Sequence, residues 1–148
     1  MIKMKGEYTF EKFVNNELVD TVKFDNIVTN AIYEYILKSL NGESVTGINL
    51  SHFAFGTGTT TPEITNTTLG TEVYRKGFTS KSWSTNQFTA ICQLATDEGN
   101  YSITEVGVFS NASLTTDSGT LLSHALKTIE KNSNITYNII YRLTLTEV

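Results

Sequence analysis

The chain is poor in the residues that lock or punctuate a fold. Its 148 residues include one cysteine, one proline and one tryptophan, and 18% are charged. A lone Cys92 excludes an intramolecular disulfide and a cysteine-built metal site. In Phe88-Thr-Ala-Ile-Cys-Gln-Leu94 it alternates with apolar residues, so it reads as a small buried hydrophobe rather than a nucleophile. Basic residues are outnumbered, 11 against 15 acidic, for a net charge of −4. Without a positive field to release counterions, nucleic acid is excluded as a partner. The nearest thing to a basic cluster, Arg75-Lys76 with Lys81, reads as a solvated strand edge. No run approaches the ~20 apolar residues of a membrane helix, so no membrane insertion is expected. The N-terminal residues lack the apolar segment of a secretory signal, and synthesis in a cytoplasm is expected.

What the chain does have is threonine, serine and asparagine. Thr fits a pleated surface through its branched Cβ, and Asn and Ser serve the turns between strands. Two strand-like runs, Tyr8–Val14 and Leu18–Phe24, flank Asn15-Asn16, a pair that tolerates the positive φ of a tight turn; residues 5–24 read as a β-hairpin. Ile32, Ile36 and Leu40 recur every four residues, with Tyr33 and Leu37 beside them, which predicts a helix over 26–42. Asn26 or Thr29 can cap its start and Gly42 can end it in a left-handed turn. Residues 48–55, 73–83, 87–96, 101–110 and 121–129 read as strands. Residues 56–71 read as a loop crossing one end of the fold. From Ile135 to Leu145 apolar and polar residues alternate almost without fault, the pattern of a strand with one face in the core. The fold class is therefore mainly β, an antiparallel β-sandwich with one α-helix and an N-terminal hairpin. We expect a single domain over 1–148, with a hairpin extension at 1–24, the helix at 26–42 and the sandwich at 48–148.

Chemistry-bearing constellations are scarce. Gly56-Thr-Gly58 lacks the third glycine of a dinucleotide loop and the Gly-Lys-Ser/Thr of a P-loop. His52 and His124 are far apart, with no second ligand at metal-binding spacing. No Gly-x-Ser-x-Gly elbow sharpens a serine, and Asp97-Glu98 precede a turn glycine. No catalytic, cofactor-binding or metal residue is nominated, and no cofactor is expected.

One longer pattern remains. His52-Phe-Ala-Phe-Gly56-Thr-Gly58-Thr-Thr-Thr-Pro62 is followed by Asn66-Thr-Thr-Leu69-Gly-Thr-Glu72. Ile103-Thr-Glu105-Val-Gly107-Val-Phe109 and Lys131 come later, ahead of the final alternating strand. Over residues 26–146 this resembles small bacteriophage tail proteins of the baseplate, tail-fibre and fibre-adaptor kind. The resemblance implies a non-catalytic virion structural protein of the tail, assembling with copies of itself and with other tail proteins, with a host surface receptor as a further partner. Structural roles are expected for the motif. Gly56 and Gly58 allow a close backbone turn, and Pro62 stiffens the loop. Glu72 and Glu105 either pair with Arg75 or Lys131, accept hydrogen bonds from loop amides, or face solvent. The 1–24 hairpin and the 56–71 loop are the expected contact regions. The alternatives are a carbohydrate- or receptor-binding module built on Trp83, Tyr74 and Tyr101, and a capsid-surface head-fibre protein.

Overall fold

The computed structural model describes residues 1–44 and 48–147. In chain order the elements are β1 (Ile2–Val14), β2 (Glu17–Asp25), β3 (Ile27–Val28), α1 (Asn30–Leu40), β4 (Leu50–Gly56) and β5 (Glu72–Gly77). There follow β6 (Ser80–Ser84), β7 (Gln87–Leu94), β8 (Ser102–Ser110), β9 (Thr120–Glu130) and β10 (Ile135–Glu147). Two five-stranded antiparallel sheets form a sandwich, in the orders β2-β1-β10-β7-β6 and β3-β9-β8-β4-β5. A single main core joins them: Tyr8 and Phe10 of β1, Phe53 and Phe55 of β4, and Ile139 and Tyr141 of β10 are all buried in it. The alternation of residues 135–145 is the inward face of β10, which pairs with β1 on one side and β7 on the other. Val148, expected within the sandwich, lies outside the described residues.

The N-terminal hairpin is not an extension. β1 runs in register with β10 from Ile2↔Glu147 to Val14↔Ile135, so it is an interior strand of the first sheet. Only β2 lies at an edge. The reason is legible in its own alternation, which turns Tyr8 and Phe10 into the core. The turn is as expected, with Asn15 and Asn16 at φ 51° and 63°, the pair of left-handed residues a two-residue hairpin turn requires.

The helix is shorter than 26–42, because Ile27–Val28 pair with Ser123–His124 of β9 before it starts. Thr29 occupies the N-cap position but makes no side-chain cap; its hydroxyl donates instead to Leu121 O. At the other end Gly42 N–H bonds Ser39 O and Glu43 N–H bonds Lys38 O, with Gly42 at φ 76°. That is a Schellman ending. Residues 73–83 form two strands rather than one. The chain leaves the second sheet at Gly77 and enters the first at Ser80, with Phe78 packed on Phe53 at the crossing.

Register shows where the core is left open. Met4 pairs with Leu145, Leu143 with Phe88, and Phe88 with Trp83, so all five side chains lie on the inward face of the first sheet. Yet Trp83 is 82% and Leu145 40% exposed. The first sheet runs on past the cover that the second sheet and Ile32 of α1 provide, and leaves an apolar ledge.

Candidate functional site

Alternation along β8 sends Glu105, Gly107 and Phe109 to the outer face of the second sheet, and the motif assembles there. Glu105 is 1% exposed. Its Oε1 accepts from the amides of Gly58 (3.0 Å) and Thr71 (2.7 Å), and its Oε2 from the amide of Gly70 (2.9 Å). His124 of β9 places Nε2 2.8 Å from the same Oε2. The other ring nitrogen, Nδ1, faces Asn66 Oδ1 at 3.0 Å, and that oxygen already accepts from Glu63 N–H. Both ring nitrogens of His124 thus meet polar partners. Burial pushes the Glu105 carboxyl up, but the hydrogen bonds from Thr71, Gly70, His124 and Gly58 outweigh it and hold the group below the ordinary glutamate value.

The 57–71 loop is thereby drawn across the outer face of the second sheet rather than over one end. Thr104 Oγ1 donates to Gly58 O over β8. Ile64 O reaches Asn30 N–H at the start of the helix, and the chain then returns over β8. Leu69 is buried there with Ala54, Phe109 and Leu121 in a second, smaller apolar cluster. Gly107 makes the room: a Cβ there would stand 2.9 Å from Leu69 Cδ2, Leu121 Cδ1 and Ser123 O. At Gly56 a Cβ would meet Thr71 O at 2.5 Å and Glu105 Oε1, so the loop closes directly onto glycine backbone. Pro62 is half-buried near the far end of the loop.

A second charged clasp stands beside the first. Glu72 and Arg75 form a two-bond pair, Nε to Oε2 at 2.9 Å and Nη2 to Oε1 at 2.7 Å. Arg75 Nη1 donates to Ser113 O, Ser118 O and Ser118 Oγ, and the guanidinium lies 4.6 Å from the centre of the Phe109 ring. The clasp ties down the 111–119 loop. Arg75 is thus buried and not part of a solvated edge. Its neighbours in sequence behave differently: Lys76 pairs with Glu98, and Lys81 donates to Asn49 Oδ1 and Leu50 O.

Lys131 stands apart from both clasps and meets neither glutamate. It is 3% exposed and donates to Asn100 Oδ1 at 2.7 Å and Asn132 O at 3.2 Å, fastening the turn between β7 and β8. Burial lowers its pKa, with Glu98 and Asp97 pulling the other way. Gly56, Gly58, Leu69, Glu105, Gly107 and Phe109 are thus brought together, with Glu72 adjoining through Arg75. His124 and Asn66 are the members that sequence reasoning missed. His124 pairs with Gly107, which puts the imidazole on the face of Glu105, and no sequence spacing marks that register.

The aromatic trio of the carbohydrate reading is dispersed. Trp83 lies at the Gln87 end of β7, opposite Phe88. Tyr74 and Tyr101 lie at the Leu94 end, around Gly99, which at about 3.4 Å per strand residue is some 20 Å away. Among the described residues no group of three or more His, Cys, Asp or Glu is placed to hold a metal ion, and no helix is long and apolar enough to cross a membrane. Comparison with known proteins finds no matching family model, no similar curated protein and no similar solved structure.

Proposed function

We propose that this chain is a non-catalytic structural protein of a bacteriophage tail, of the baseplate, tail-fibre or fibre-adaptor kind, which assembles with itself and with neighbouring tail proteins. The observation that carries the reading is the inward commitment of the motif. Glu105 accepts from three loop amides and His124, and Glu72 is held by Arg75. Both carboxylates are turned into fasteners of surface loops, leaving neither as an acid or base facing a cleft. Rigid loops on a sandwich whose core face is partly uncovered suit a component that meets other subunits in fixed geometry.

Quantitative mass spectrometry of purified particles tests the proposal. The chain is expected at a low, fixed ratio to the major capsid protein. Its absence from particles overturns the virion reading, and a ratio near that of the capsid protein moves it to the head surface.

A further inference from the structure

The 57–71 loop is cinched at its neck by one side chain. Glu105 takes the amide of Gly58 at the start of the loop and those of Gly70 and Thr71 at its end. The two ends touch, since a Cβ on Gly58 would stand 3.0 Å from Gly70 Cα. This is the form of an Ω-loop, a compact surface loop with its ends together. Beyond the neck its ties to the body are few. Thr104 Oγ1 reaches Gly58 O, Asn30 N–H reaches Ile64 O, and Asn66 meets His124. Of its apolar side chains, Leu69 joins the small cluster of Ala54, Phe109 and Leu121, whereas Ile64 is exposed. Among the described residues, none between 57 and 71 belongs to the main core. Lifting the loop therefore leaves both sheets and the core between them in place, as is required of a segment that opens at less than the cost of global unfolding.

We propose that this loop is an acid-released flap: protonation of Glu105 undoes the neck, and the loop lifts as a unit and bares Ala54, Phe109 and Leu121. Each carboxylate oxygen accepts from a loop amide, Oε1 from Gly58 and Thr71 and Oε2 from Gly70. A proton on either oxygen therefore faces an N–H group and takes away its acceptor. Few ionisable groups surround the site. β9 brings His124 onto Oε2. β4 brings only the backbone of Gly56, and Glu72 of β5, beyond it, is bound by Arg75. The one ionisable side chain of the loop, Glu63, is exposed. The closed loop holds the Glu105 carboxyl below the ordinary glutamate value. Closure is thus fully favoured above about 4.3 and is lost as pH falls through the lower, closed-state value. The inference stands independently of the tail reading.

Site-resolved hydrogen exchange of the full chain, corrected for the intrinsic pH dependence of amide exchange, tests the proposal. At neutral pH the amides of Gly58, Gly70 and Thr71 are expected to share one opening constant, larger than that of the β10 amides. Below about pH 4 their protection is expected to fall on the order of tenfold to a hundredfold, the worth of hydrogen bonds to a charged group, while β10 keeps its own. Glu105→Gln is expected to show the lowered protection already at neutral pH and no further step in acid. Exchange of the three amides at the rate of β10 at every pH overturns the proposal. So does an opening in the parent that ignores pH, or one in which Gly58 opens apart from Gly70 and Thr71. All three of these results are read from the parent chain, so they decide the matter even if the variant fails to fold.

Discussion

His124 and Glu105 meet in a buried contact, Nε2 to Oε2 at 2.8 Å, between diagonal positions on adjacent strands. Glu105 pairs with Leu126 and His124 with Gly107, so one long side chain and one ring meet across the ladder. Burying a carboxylate is costly, and it is retained only where hydrogen bonds satisfy its lone pairs. Here the backbone of the 57–71 loop does so. The pair is therefore a loop anchor.

Replacing Glu105 with Gln leaves the shape and removes the charge. Hydrogen bonds to a charged group contribute about 1.5–3 kcal/mol, and a loss in that range is expected because the amide keeps part of the bonding. The pH dependence follows from the sign. The folded pKa of Glu105 is depressed, so its stabilisation is full above the ordinary glutamate value, about 4.3, and is lost as pH falls through the lower folded value. Urea titrations between neutral and acid pH are expected to show a shallower acid decline in E105Q than in the parent. Parallel curves would remove Glu105 from the account.

Gly107→Ala tests the hole beneath Leu69. The added methyl meets two side-chain carbons and the carbonyl of Ser123 at 2.9 Å, and a β9 carbonyl cannot move aside as a side chain can. Overpacking of this kind costs about 1–3 kcal/mol. The double variant Gly107→Ala with Leu69→Ala is expected to recover part of that loss, read as non-additivity of the two unfolding free energies.

Arg75→Lys keeps the charge and loses the fork. One ammonium cannot bond both Glu72 oxygens while reaching Ser113 O and Ser118 O and lying over Phe109. The expected result is destabilisation of about 2–3 kcal/mol, in the range of hydrogen bonds to charged groups, with proteolytic cleavage appearing first within residues 111–119. Unchanged protease resistance there would show that the loop holds itself.

Cys92 is fully buried between the sheets, and burial pushes its thiol up to about 12. Since the thiolate is the reactive form, the native protein is expected to resist thiol reagents at neutral pH and to label fully in denaturant. Rapid native labelling would contradict its place in the core.

Alternating strands were the most legible part of the fold, because a period of two survives without knowledge of any partner. The inward row of β10 and the Asn15-Asn16 turn were readable for that reason. The helix stripe was readable, but its cover was not: Ile32 is buried while Leu37 and Leu40 are exposed. The split at Gly77 was hidden because Val73–Trp83 keeps a strand-like composition across a change of sheet. At the clasps, spacing gave Glu105, Gly107 and Phe109 a common face. The choice among loop amides, Arg75 and Lys131 depended on register and on where a 15-residue loop would lie. His124 carried no signal of its own, since its partners are 19 and 58 residues away.

The long pairing of β1 with β10 also fixes when the molecule can form. Two interior neighbours of the first sheet stand at least 121 residues apart, from Val14 to Ile135, so the sheet cannot close until Ile135–Glu147 has left the ribosome. Contacts of such separation make folding slow, on the order of milliseconds to seconds. Until then Tyr8 and Phe10 lack their β10 neighbours, Tyr141 and Ile139. A product interrupted before β10 retains exposed aromatic residues and no joined first sheet, and becomes a substrate for chaperones and proteases instead of reaching the folded state. Emergence of β10 thus acts as a checkpoint on folding.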